Sequence, residues 1–265
     1  MGLATAKIVG RDHTVVLCDV RQERLDDAAA TLKDLGIDAT VVNCDVTDRG
    51  AVADLLETAK SLGTLASVIH TAGVSPSMGA ADYVMRTNAI GTINVDEAFY
   101  ATAGEGAVIV NVASMAAHIL PAEVVPADKF PLAFSDGDAF WDAMMAACDP
   151  MPEEVRSGYA YALSKAFVKW YSESQAERFN ARGLRICSVS PGSIDTEMGR
   201  LEEQAGAGAM VADAAVPRWG KPEEMGELLA FCASEKATYL TGTDILNDGG
   251  VVASMRERAR AAAAT

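Results

Sequence analysis

Positive charge is scarce in this sequence. Lys and Arg number 22 against 37 Asp and Glu, a formal net charge of −15. A chain this acidic repels phosphate backbones, which argues against nucleic-acid binding but not against one nucleotide in a local site. No run of about 18 apolar residues is present to span a membrane, and no basic segment followed by an apolar one opens the chain. Histidine is rare, and His13, His70 and His118 have no metal-ligand spacing, so no metal site is expected. The five cysteines (Cys18, Cys44, Cys148, Cys187 and Cys232) include no C-x-x-C pair. They read as buried free thiols, three on strands and Cys232 on an apolar helix face, in a reducing cytoplasm. What is present suits a soluble globular protein: 50% hydrophobic and 22% charged residues, in 265 positions.

Short apolar runs alternate with helix-length stretches. The runs are His13–Asp19, Ala39–Asp45, Ser67–Gly73, Ala107–Ser114, Leu184–Gly192 and Thr243–Gly250. They are β-branched and apolar on both faces, as strands covered by helices on both sides must be. Helical patterns cover Leu3–Val9, Gln22–Leu35, Asp48–Leu62, Ala80–Ala103, Arg156–Arg182 and Pro222–Ala233. Pro222 fits a first helical position, with Glu223 and Glu224 in the positive first turn. The alternation predicts a doubly wound parallel sheet in an α/β, Rossmann-like three-layer fold, as one domain over 1–265. Two segments break the rhythm, 119–157 and 193–219; long irregular stretches in compact domains usually carry function.

The stretch "SGYAYALSKAFVKW" offers two tyrosines, Tyr159 and Tyr161, and only Tyr161 has a lysine four residues on, Lys165. On a helix the two share a face. A nearby cation favours phenolate and is expected to lower the tyrosine pKa towards the range of an acid–base catalyst. Ser114 closes one strand, Gly73 another and Pro191-Gly192 a third, where ligands bind in open α/β sheets. Asn88 falls within a helix, where an inward polar group needs a partner. Asp19 ends the first visible strand. A carboxylate there accepts two ribose hydroxyls and repels a 2′-phosphate, favouring NAD over NADP, although Arg21 nearby softens that preference.

From residue 2 to about Val252 the chain resembles the short-chain dehydrogenase/reductase family. The matching motifs are Asp45-Val46, Thr71–Gly73 with Ala72 between, Asn88–Gly91, Val112–Ser114, Tyr161–Lys165, Pro191–Thr196 and Asn247–Gly250. The resemblance implies an oxidoreductase in which Tyr161 exchanges a proton with the substrate oxygen while nicotinamide exchanges hydride. It implies that Lys165 holds the ribose, Ser114 hydrogen-bonds the substrate oxygen, and Asn88 holds a water that relays protons from Lys165. Asp45 and Val46 would meet adenine, and Gly192, Ile194 and Thr196 the nicotinamide end.

The family begins with a strand and a T-G-x-x-x-G-x-G loop, and "MGLATAK" matches only the loop's end, with Gly2 on its last glycine and Met1 just before it. Backbone N–H groups of that loop hold the pyrophosphate at the helix N-terminus. The expectation is that Met1 is the internal methionine of a G-M-G loop. The alternative is a shortened relative without normal cofactor binding.

Ser114 and Tyr161 stand 47 positions apart, further than the family's usual spacing. The surplus, 119–157, carries Phe130, Phe134, Phe140, Trp141, Met144 and Met145. It is either a small helical subdomain or a wall over an apolar substrate. An insertion here resembles that of the bacterial 3-alpha-hydroxysteroid dehydrogenase/carbonyl reductases, where it changes how subunits pair. With 193–219 as the substrate loop, the expected substrate is a hydrophobic secondary alcohol or ketone, handled with NAD by a cytoplasmic homo-oligomer, dimer or tetramer. The alternatives are an NADPH-dependent 3-oxoacyl-type reductase and a non-catalytic nucleotide-binding relative.

Overall fold

The computed structural model describes residues 1–264, with the backbone alone at 206 and 207. It opens with α1 (Gly2–Val9), β1 (Val15–Asp19), α2 (Gln22–Asp34), β2 (Ala39–Asn43), α3 (Arg49–Leu62) and β3 (Ser67–His70). There follow α4 (Ala81–Met85), a π turn (Arg86–Ile90), α5 (Gly91–Thr102) and β4 (Val108–Val112). The insertion holds α6 (Leu132–Ser135) and α7 (Gly137–Cys148), and leads into α8 (Glu153–Ser174) and α9 (Ala176–Asn180). The chain closes with β5 (Arg185–Pro191), α10 (Glu197–Glu202), α11 (Gly208–Ala212), α12 (Pro222–Ala233), β6 (Asp244–Asn247) and α13 (Val251–Ala263). The α/β alternation is therefore as expected, and every strand pairing is parallel.

The sheet comes in two pieces, β1-β2 and β3-β4-β5-β6. β1 and β3 do not hydrogen-bond each other. In the larger piece β4 and β5 are buried at every position. Their residues alternate between two cores, as a period of two requires. Ile109 and Ile186 join α3, α5 and α8 on one face; Val108, Val110, Cys187 and Val189 join Leu229 and Cys232 of α12 on the other. α1 crosses α12 closely: a Cβ at Gly226 would lie 3.1 Å from the Thr5 nitrogen. Asp48 caps α3 by accepting from the Gly50 and Ala51 N–H groups, and α12 starts at Pro222 with Glu224 accepting from Lys221 N–H at 2.8 Å.

Cys44, Cys148, Cys187 and Cys232 are buried, but Cys18 is exposed, a correction to the expectation. β1 has a neighbour on one edge only, and its burial is patchy. The Ala80–Ala103 stretch is one continuous helical run with a π turn at Asn88, where Thr92 Oγ1 donates to the Asn88 carbonyl at 2.7 Å. Every ring contact recorded for Phe130, Phe134 and Phe140 of the insertion is to Phe167, Trp170 or Tyr171 on α8. Phe140, Met144 and Cys148 are fully buried. No helix among the described residues is long and apolar enough to cross a membrane.

Candidate active site

α8 presents Tyr161 and Lys165 one turn apart, beside the strand ends of β3, β4 and β5. Ser114, which follows β4, stands near enough to the Tyr161 phenol to act on its pKa. Ser114 also accepts from Ala116 N–H at 3.2 Å, which fixes its side chain at the start of a turn. Tyr159 lies elsewhere, donating to the Val124 carbonyl at 2.6 Å.

The expected pKa direction for Tyr161 is reversed. Burial pushes the phenol above its ordinary value; the Ser114 hydroxyl lowers it and the Glu202 charge raises it further. Lys165 sits 6.0 Å from the ring centroid and donates to the Val112 carbonyl at 2.8 Å. Burial brings its own pKa down to about 8. Desolvation thus sets the direction for the phenol.

Asn88 is 1% exposed and fully partnered. Its Oδ1 accepts from Val74 N–H at 2.9 Å, and its Nδ2 donates to the Val74 carbonyl and to Ser164 Oγ. Ser164 in turn donates to the Tyr161 carbonyl at 2.7 Å. Asn88 thus ties the turn after β3 to α8. A Cβ at Gly73 would stand 3.1 Å from Asn88 Oδ1 and 3.4 Å from Lys165 Nζ, so the side-chain-free position keeps this cradle open. His70 lies beneath it, its Nε2 3.1 Å from Thr92 Oγ1. Burial, aided by the Lys165 charge, takes its pKa to about 3, so it is neutral at pH 7.

The other candidates line the same carboxyl ends. Asp19 Oδ1 accepts from Arg21 N–H at 2.9 Å. Asp45 Oδ1 accepts from Thr47 N–H at 2.8 Å, and Val46 is buried against Gly91. Gly2 abuts Thr71, so the N-terminus of α1 meets the Thr71-Ala72-Gly73 turn. Met1 O accepts from Thr5 N–H at 3.0 Å. Beyond β5, Pro191 is buried, Gly192 N–H donates to Asn247, Ile194 pairs with Gly220, and Thr196 caps α10 by accepting from Gly199 N–H at 3.0 Å.

These residues fit a dinucleotide at its ribose and nicotinamide ends. For the pyrophosphate the described chain offers the N-terminus of α1 at Gly2. Two acidic residues were missed in the sequence, both on α10. Glu202 accepts from Ser77 N–H at 3.0 Å, and Glu197 pairs with Arg21 and Arg24. No motif marks them; they are brought in from 125 and 173 residues away.

The short chain dehydrogenase family model matches residues 1–126, and the enoyl-(acyl carrier protein) reductase model matches residues 147–252. The chain is 31% identical over 259 residues to short-chain dehydrogenase/reductase bsc3 of Alternaria brassicicola, covering 96% of this chain and 92% of that protein. It is 27% identical over 265 residues to the 3-alpha-hydroxysteroid dehydrogenase/carbonyl reductase of Comamonas testosteroni, covering 97% and 94%. A short-chain dehydrogenase from Burkholderia cenocepacia, solved in complex with NADP, shares the fold with a TM-score of 0.74 at 24% identity, covering 94% of this chain and 92% of that one. The chain belongs to the short-chain dehydrogenase/reductase family of NAD(P)-dependent oxidoreductases acting on CH–OH groups.

Proposed function

We propose that this enzyme prefers NAD and interconverts a hydrophobic secondary alcohol and its ketone. The observation that carries the chemistry is the Ser114–Tyr161 hydroxyl pair, set beside the buried Lys165. A phenol held above its ordinary range is a proton donor at neutral pH. In ketone reduction Tyr161 donates a proton to the substrate oxygen, and Ser114 holds that oxygen. In oxidation Tyr161 takes the proton back, so that direction gains as pH rises. Bound nicotinamide supplies the hydride chemistry. Lys165 and Asp19 bind the two riboses, Asp45 and Val46 border the adenine, and Pro191–Thr196 border the nicotinamide. Asn88 holds the Gly73 turn against α8, and a water relay from Lys165 would pass it.

Support for an apolar substrate comes from the loop 193–219. Met210 and Ala214 belong to one small apolar cluster with Met115, the residue after Ser114, and with Val251 and Val252. The insertion lends no such support, because Phe130, Phe134 and Phe140 pack on α8 and Trp141 on Arg86. We take the chain to work as one domain, in the cytoplasm, as a dimer or tetramer. A second reading, an NADPH-dependent 3-oxoacyl-type reductase, is favoured by the acyl carrier protein reductase match over 147–252.

The test is to measure kcat/KM for NAD+ and NADP+ with a series of alicyclic alcohols. A clear NAD+ preference is expected, and Asp19→Ser should relax it by roughly two orders of magnitude, each tenfold step being about 1.4 kcal/mol. Equal use of both cofactors by the unaltered protein would contradict the assignment of Asp19 and favour the second reading.

A further inference from the structure

Asp19 is not the only charged group at the adenosine end. Arg21 and Arg24 lie at the start of α2, directly past it. Guanidinium groups in this position are natural clamps for a phosphate, which they can grip through paired N–H donors. Neither is free. Arg24 Nη2 donates to Glu197 Oε2, and Arg21 Nη2 lies 3.6 Å from the same oxygen. Among the described residues, neither arginine pairs with another carboxylate. Glu197 is the first residue of α10, next to the capping Thr196, so its backbone is held in place. It reaches from the nicotinamide side of the site, after β5, to the adenosine side, after β1.

We infer that Glu197 is a specificity-determining residue for the cofactor: it occupies the two arginines that would otherwise clamp a 2′-phosphate. This rests on the NAD preference proposed above. NAD leaves the ion pairs intact. NADP must displace a carboxylate from Arg21 and Arg24 while its phosphate also faces Asp19. Discrimination then comes from two carboxylates, one at the strand end and one lent by the substrate loop. The arginines are about half exposed, at 52% and 42%, so the effect is moderate and weakens with salt.

The experiment compares the ratio of kcat/KM for NADP+ to that for NAD+ in four proteins: unaltered, Glu197→Gln, Glu197→Gln with Arg21→Ala and Arg24→Ala, and the two arginine substitutions alone. Competitive inhibition by adenosine 2′,5′-bisphosphate and by AMP gives the same ratio without turnover. Glutamine keeps a hydrogen-bond acceptor but removes the charge. The ratio should rise roughly tenfold in Glu197→Gln and fall back once both arginines are gone. Merely loosening α10 would shift both cofactors together and leave the ratio unchanged. A ratio within twofold of the unaltered protein, or a gain that survives loss of both arginines, overturns the inference. Failure of the NAD preference itself would show separately, in the unaltered protein's own ratio.

Discussion

The two halves of the sheet are built to different standards. In β3–β6, the central strands β4 and β5 are buried throughout and sandwiched between two apolar cores. In β1–β2, every position but Val15 is half-buried or exposed; Val16 and Val42 lean on the edge of the main core, and a small core of Ala6, Val15, Leu32 and Ile37 covers the rest. The first half carries the proton-transfer candidates Ser114, Tyr161 and Lys165. The second carries the adenosine-end candidates Asp19 and Asp45. The proposed proton transfer, which needs a desolvated phenol and lysine, falls where burial is deepest; the proposed ribose recognition falls where a water-exposed strand end suffices. The difference also leaves one edge of β1 and one of β3 without a hydrogen-bonded neighbour, the kind of edge that invites another strand.

The largest expected difference between the halves is catalytic. Tyr161→Phe should lower kcat/KM by about 10²- to 10⁴-fold while leaving NADH binding and the fold in place, since it removes the proton and keeps the ring. Tyr159→Phe, whose hydroxyl reaches only the Val124 carbonyl, should change activity little. Equal losses would place the proton donor elsewhere. The next difference is in stability. Ile109→Ala, at a fully buried β4 position, should cost about 2–5 kcal/mol in urea unfolding. Leu17→Ala on β1, which is only partly buried, should cost less than half of that. Equal costs would mean that β1 is as well covered in solution as β4, and the contrast between the halves would fail.

Much of the better-built half could be read from the sequence. Strand β5 and helix α12 fall where their apolar runs and Pro222 put them, because buried parallel strands and capped helix starts leave local signatures. Tyr161 stood out from Tyr159 through its spacing to Lys165. What could not be read depends on distant groups. The π turn at Asn88 answers to Val74 and Ser164, far along the chain. The raised Tyr161 pKa follows from burial, which no spacing reveals. Cys18 has the neighbours of a core strand residue but lies on a strand paired on one edge only. Glu197 and Glu202 are ordinary surface acids in sequence and acquire meaning only when α10 folds across the strand ends.

Deuterium transfer tests the central claim most directly. The protein would be incubated with NAD+ and an alicyclic secondary alcohol carrying deuterium at its carbinol carbon, and the nicotinamide examined by NMR. The account predicts ketone formation with deuterium at nicotinamide C4, together with a primary isotope effect, in the unaltered protein. The same label should appear far more slowly with Tyr161→Phe. Ketone formed without deuterium on the nicotinamide, or labelling that proceeds at an unchanged rate without the Tyr161 hydroxyl, would contradict it.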